Sequence, residues 1–243
     1  STHCISSAAS DVYKRQQAVL QGLTPDGGLF VPVNLPTAHF DFDQLATLSY
    51  QEVAYEVLKL FFTDYSETEL KACIRAAYGD QFDDPAIAPV TKHGKQYYLE
   101  LFHGPTIAFK DLALQILPQL MTTAAKKNQL ESEVVILTAT SGDTGKAAMA
   151  GFADVPQTRI IVFYPKDGVS AIQKQQMITQ TGDNTYVVAI NGNFDEAQTK
   201  VKELLNDPDL HQKLAANQFQ FSSANSINIG RLFPQVAYYV YAY

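Results

Sequence analysis

The sequence predicts an α/β protein with largely parallel sheets flanked by helices, and three observations predict it. Short apolar runs rich in β-branched residues recur at 134–139, 160–164, 186–190 and 219–222, each the length of a buried strand. Stretches with apolar side chains at helical spacing separate them, the pattern of βαβ units. The composition, 46% hydrophobic and 18% charged, is that of a soluble globular chain able to cover both faces of a sheet.

Taken in order, residues 1–16 (STHCISSAASDVYKRQ) are small and hydroxyl-rich without an apolar core, so they predict no secretory signal. Asp11 and the missing amphipathic period argue against a transit peptide, and the segment reads as foreign to the fold. From Gln17 the apolar Ala18, Val19, Leu20 and Leu23 run into Thr24-Pro25-Asp26-Gly27-Gly28, a turn in which Pro fixes φ and Gly permits positive φ. Residues 29–33 then predict a short strand. Between 43 and 79, Leu45, Leu48, Val53, Val57, Phe61, Leu70 and Ile74 fall at helical spacings, and Ser66 with Glu69 predicts a capping box. Asp83-Asp84-Pro85 closes this helical part. Beyond it we expect strands at 97–102, 134–139, 160–164, 186–190 and 219–222. Helices are expected at 112–125, 146–153, 170–179 and 196–205, the first broken at Pro118.

Charge and cysteine content exclude whole classes of function. With 18 basic and 25 acidic residues the net charge is −7, which argues against a nucleic-acid partner, since phosphate-backbone binding draws on clustered Lys and Arg. No run reaches the roughly 18 apolar residues of a membrane span. Cys4 and Cys73 form neither a metal pattern nor a disulfide framework, so a reducing, cytoplasmic location is expected and no metal.

Ligands of open α/β sheets bind at the carboxyl ends of the strands, and three strand-to-helix turns stand out there. In the first, Lys110 follows Ile107, Ala108 and Phe109, apolar surroundings that would depress an ammonium pKa and leave a nucleophilic amine able to form a Schiff base. The alternative is a lysine snorkelling from a surface helix, with Asp111 a first-turn helix residue. His103 has a weak case as an acid or base. The second turn, Ser141-Gly142-Asp143-Thr144-Gly145, opens a helix whose backbone amides would hold a phosphate or carboxylate. It is no P-loop, because Thr140 and Ala147 stand where that motif needs Gly and a hydroxyl, and it lacks the third glycine of a dinucleotide fingerprint. The alternative is a Gly-assisted turn capped by Ser141 or Thr144. The third, Asn225, Ser226, Asn228 and Arg231, offers forked donors to an oxyanion, or else is a polar loop with a solvated Arg. Lys166, at the end of a strand, either adds charge to the same crevice or is simply exposed.

Together these turns carry a resemblance. The blocks GLTPDGGLFVP (22–32), HGPTIAFKD (103–111), TATSGDTGKAA (138–148), PKDGVSAIQKQQM (165–177), NGNFDEAQ (191–198) and SSANSINIGRLFPQVAYY (222–239) occur in the order and spacing of the threonine synthases. From residue 17 onward the sequence resembles that family of pyridoxal 5′-phosphate enzymes of fold type II. The resemblance implies Lys110 as Schiff-base lysine and later proton carrier. It implies Ser141, Gly142, Asp143, Thr144 and Gly145 as the substrate carboxylate loop, Asp143 beside the cofactor. Ser226, Asn228 and Arg231, joined by Lys166 and Asn225, would bind the substrate phosphate. The reaction implied converts O-phospho-L-homoserine and water to L-threonine and phosphate by γ-elimination and β-addition.

The implied organisation is a helical subdomain at 17–87, the first part of a lysine-bearing large domain at 88–120, a small α/β domain at 121–220 and a return into the large domain at 221–243. The Gly-rich, Asn-containing loop that seats the cofactor phosphate in this family would follow Tyr238-Tyr239, and the sequence to Tyr243 contains none. The expectation is therefore an N-terminal part of a threonine synthase, weakly active or inactive by itself. Competing readings are another fold-type-II lyase such as a serine or threonine dehydratase, which would not need Arg231, and a silent binder of phosphorylated amino acids, which would not need Lys110. An NTP-binding module on Ser141 to Lys146 is the least favoured.

Overall fold

In the computed structural model, which describes residues 15–24 and 26–243, helices precede the main sheet. They are α1 (Arg15–Gln21), α2 (Phe42–Leu45), α3 (Tyr50–Leu58) and α4 (Glu67–Ala77). Ser66 and Glu69 form the expected capping box on α4, and Ser49 with Glu52 forms one on α3 that the sequence reading did not mark. The strand expected at 29–33 is absent apart from a single bridge between Leu23 and Leu29. Pro32 and Pro36 lack the N–H that a ladder needs, and Val31, Val33 and Leu35 are exposed. The boundary expected after Gln16 falls inside α1. Gln16 is buried, its backbone N–H donating to Asp64 Oδ2 at 3.0 Å and its side-chain amide to the Asp64 carbonyl at 2.6 Å. The remainder of that expected segment, 1–14, lies outside the described residues.

The next strands are β1 (Val90–His93) and β2 (Gln96–Leu99), an antiparallel hairpin turned at Gly94. The strand expected at 97–102 is thus shorter and belongs to this hairpin, because Gly94 at φ 63° reverses the chain immediately before it. The helix expected at 112–125 is two, α5 (Asp111–Leu114) and α6 (Leu117–Lys127). Pro118 explains the break, since it sits in the first turn of α6, where no helical N–H bond is lost.

Four parallel strands follow, β3 (Glu133–Ala139), β4 (Thr158–Pro165), β5 (Thr185–Ile190) and β6 (Phe219–Ser223), in the order β5-β4-β3-β6. The connecting helices are α7 (Asp143–Phe152), α8 (Ala171–Ile178), α9 (Phe194–Leu205) and α10 (Pro208–Ala216), and α11 (Ile229–Leu232) and α12 (Pro234–Ala242) close the chain. The period-two alternation of β3 splits its side chains between two cores. Val134 and Ile136, with Ile160 and Val162 of β4, meet Ala147, Ala148 and Phe152 of α7 and join the core of α1 and α3–α6. Val135, Leu137 and Ala139 meet Ala197, Val201 and Leu205 of α9. Both faces of the sheet are covered, as its unbroken apolar strands require. Among the described residues no helix is long and apolar enough to cross a membrane.

The helix that follows Lys110 is set against α7 by a close backbone approach. A Cβ at Gly151 would stand 2.2 Å from the Leu114 carbonyl oxygen, so only glycine lets α7 lie this near α5. The Gly151→Ala substitution should lower the unfolding free energy by about 1–3 kcal/mol. Urea denaturation followed by far-UV circular dichroism measures it, and an unchanged midpoint would contradict this packing.

Candidate active site

Because β3, β4 and β6 run parallel, the turns leaving them share one edge of the sheet. After β3, the buried Thr140 turns its hydroxyl back to accept the N–H of Gly142 at 2.9 Å and of Gly145 at 2.8 Å. Those two amides, expected to hold an anion, are therefore already bonded. The N–H groups of Ser141, Asp143 and Thr144 find no acceptor among the described residues, and they sit at the positive end of the α7 dipole. The glycines act through their missing side chains. A Cβ at Gly145 would lie 2.6 Å from Thr140 Cγ2 and Val162 Cγ1, and Gly142 holds φ 146° with Gln173 filling the space beside it.

Gln173 is a residue that the motif reading quoted without assigning a role. It stands at the third position of α8, where its Oε1 accepts the Ser170 N–H of a capping box and its Nε2 donates to Asp143 Oδ1 at 2.5 Å. The Ser-x-x-Gln spacing was the available signal.

Lys110 directly precedes α5. Its Nζ lies 3.8 Å from Asp143 Oδ2 and 4.4 Å from the centre of the Phe109 ring, with 20% of the side chain exposed. The apolar burial expected around it is not found, because Ile107 is 72% and Phe109 39% exposed. The side chain faces the start of α7 instead, so the structure brings Lys110 and the Ser141–Gly145 turn together. Asp111 is a first-turn residue as expected, but wholly buried. Its Oδ2 accepts the Thr106 N–H at 2.8 Å and its Oδ1 the Thr106 hydroxyl at 2.6 Å. Burial pushes its carboxyl above the usual range while those bonds pull it back. Lys146 donates to Gln180 Oε1, and burial draws its ammonium down against the opposing charge of Asp111.

The third turn differs from expectation in how its amides are used. Asn225 accepts the Ala139 N–H at 3.1 Å and donates to the Ala139 carbonyl at 3.0 Å. Asn228, fully buried, donates to the carbonyls of Val19 at 2.9 Å and Ser223 at 3.0 Å and accepts the Gly230 N–H at 2.8 Å. Both donors of Asn228 are thus engaged by backbone, whereas the half-buried Asn225 has one amide hydrogen on the Ala139 carbonyl and a second without an acceptor among the described residues. Arg231 is not the solvated arginine of the bland alternative. It is 4% exposed, and its Nε and Nη1 are buried without a hydrogen-bond partner among the described residues. Burial lowers its guanidinium from the usual range, opposed by Tyr238. Ser226 and Lys166 are exposed on the flanking turns.

Comparison with known proteins places this geometry. Residues 86–241 match the family described as pyridoxal-phosphate dependent enzyme, and residues 5–78 match the one described as threonine synthase N terminus. The second match begins inside the stretch that the sequence reading set apart as foreign. A threonine synthase from Pseudomonas aeruginosa is 39% identical over 93% of this chain and 47% of its own. The crystal structure of threonine synthase from Escherichia coli superposes with TM-score 0.81 at 37% identity, over 94% of this chain and 50% of that one. A PLP-bound threonine synthase from Brucella melitensis gives 0.80 at 37%, over 93% and 48%. The chain spans about half the length of these relatives.

Hydrogen bonding separates the two asparagines of the third turn from its exposed Ser226 and from the exposed Lys166 after β4. Asn225→Ala and Asn228→Ala should each lower the unfolding free energy by about 1–3 kcal/mol, because each strands buried backbone groups. Ser226→Ala and Lys166→Ala should stay within about 0.5 kcal/mol of the parent. Thermal and urea unfolding of the four variants checks the split.

Proposed function

This chain belongs to the pyridoxal-phosphate-dependent enzyme family, and on that premise we propose that it forms the lysine-bearing part of a threonine synthase. The reaction would convert O-phospho-L-homoserine and water to L-threonine and phosphate. The observation that carries the substrate assignment is Arg231, a buried guanidinium with two donors unpaired among the described residues. Burying such a charge without a partner is costly, and an oxyanion delivered by the substrate supplies the partner. Phosphohomoserine brings that anion, whereas serine and threonine do not, which favours the synthase over a dehydratase.

The residues present fit the carbonyl end of pyridoxal phosphate. Lys110 Nζ makes no hydrogen bond among the described residues, is partly open to solvent and faces Asp143. It is the amine that would hold the cofactor's carbonyl carbon. When bound, the cofactor supplies an electron sink for deprotonated carbon. Lys110 would also be the base that moves protons at the substrate's Cα and Cβ. The N–H groups of Ser141, Asp143 and Thr144 would orient the substrate carboxylate on the α7 dipole, with Gly142 and Gly145 keeping the turn free of side chains. Arg231, joined by Ser226 and Lys166, would take the phosphate and stabilise charge as the C–O bond breaks. Asn225 bonds the backbone of Ala139 and Asn228 that of Val19, which would fix the turn that leads to Arg231. Cys73 is a buried free thiol, in keeping with a reducing compartment, which we propose is the cytoplasm.

The test uses the protein that carries this chain. Lys110→Ala should abolish cofactor attachment and threonine formation, and Arg231→Ala should lower kcat/KM on phosphohomoserine about 10–100-fold while sparing serine deamination. Phosphohomoserine turnover that survives Arg231→Ala unchanged would overturn the substrate assignment.

A further inference from the structure

His103 begins the loop that leads to Lys110, and each of its ring nitrogens faces a carboxylate. Nδ1 lies 2.6 Å from Asp83 Oδ1 and Nε2 lies 2.9 Å from Glu100 Oε2. A neutral imidazole has one N–H and can donate to only one of them, so two such contacts require both nitrogens to carry protons. The partners come from separate parts of the fold. Asp83 follows α4, and its backbone N–H also donates to the His103 carbonyl at 2.9 Å. Glu100 follows β2 and accepts the hydroxyl of Thr91 on β1 at 2.8 Å. The Phe102 ring lies 4.6 Å away, and the imidazole is 13% exposed. The other charged groups bearing on this cluster are Asp84, which acts on the ring, and His93 of β1, which acts on Glu100.

The far end of the loop is anchored by Thr106 on the buried Asp111. Between the anchors Ile107 sits at φ 60°, its N–H donating to the Gly104 carbonyl at 3.0 Å. A β-branched residue is strained there, and the conformation persists only while its surroundings hold it. Lys110 lies within this clamped segment.

We propose that His103, held as an imidazolium between Asp83 and Glu100, is a positioning residue that fixes the Lys110 loop and releases it on losing its proton. The bond to Glu100 and then that to Asp83 push the ring above the ordinary imidazole midpoint of about 6.5, against the opposing effect of burial. A raised folded-state midpoint means that the clamp is fully present below the ordinary midpoint and is lost as pH rises through the folded-state value. The loop therefore loosens on alkalinisation. Its bearing on catalysis rests on the reading of Lys110 as cofactor lysine, whereas the state of the ring does not.

Nitrogen-15 NMR of the histidine rings in the full chain, from about pH 5 to about pH 9, reads the protonation directly. Hydrogen-exchange mass spectrometry of the peptide spanning 104–111, corrected for intrinsic exchange, reads the loop. We expect His103 to keep both ring protons above the ordinary midpoint and Glu100→Gln to lower its titration. The peptide should lose protection about tenfold as the ring deprotonates, while β3 keeps its own. A ring titrating at or below the ordinary midpoint overturns the proposal, and so does a peptide whose protection is flat across the titration. Both measurements are decisive on the unsubstituted chain even where Glu100→Gln fails to fold. Neither needs bound cofactor, so loss of the lysine assignment, seen as cofactor attachment unaffected by Lys110→Ala, is a separate result.

Discussion

The candidate site depends on how one strand is ended. β3 is central in its sheet and covered on both faces, so its last backbone groups have no water to turn to. On the β4 side, pairing reaches Ala139 and continues through the Thr140 N–H to the Phe163 carbonyl. On the β6 side it stops at Leu137 opposite Ser223. The two groups of Ala139 left over are taken by the two ends of one amide, that of Asn225. A side chain thus stands in for a strand, and the backbone groups of Ala139 stay paired where β6 ends.

That termination fixes what comes next. With Ala139 and Thr140 held, the Thr140 hydroxyl gathers two amides of the following turn, and Gly145 lets α7 start against Thr140 and Val162. The start of α7 then carries Asp143 toward Lys110, while Gly151 at its other end meets the carbonyl of Leu114 on α5. The close approach at Gly151 sets α7 against α5, and that at Gly145 seats the start of α7 on Thr140 and on Val162 of β4. Thr106 and Asp111 are buried, so the bonds between them are stronger than their equivalents in water and more costly to break.

Where the sequence was readable, the physics was local. The parallel strands and their helices were legible because a strand buried on both faces must be apolar throughout, and the capping box at Ser66 because it needs only four adjacent residues. Leu29 to Val33 misled because apolar content alone does not supply the ladder donors that Pro32 withholds. Lys110 and the Ser141–Gly145 turn could be found from their motifs. The backbone bonds of Asn225 and Asn228 could not, since an amide recognising backbone and one recognising phosphate look alike in sequence. Their partners, Ala139 and Val19, are far away along the chain. Gln173 was likewise visible only as a helix cap, because its second bond crosses to another helix.

The backbone bonds of the two asparagines bear on how the proposed substrate would be held. With both donors of Asn228 on backbone carbonyls, the phosphate of the proposed substrate would meet Arg231, and Ser226, Lys166 and the second N–H of Asn225 are the further candidates. Asn228 accepts the Gly230 N–H at the start of α11 and donates to Val19 of α1, so the backbone that carries Arg231 is anchored to two elements. A guanidinium so anchored cannot swing out to water, and the folded chain bears the cost of its unpaired donors until an oxyanion arrives. On the proposed reading, Arg231 is where the fold sacrifices stability for recognition, and it would set phosphorylated apart from plain hydroxy amino acids.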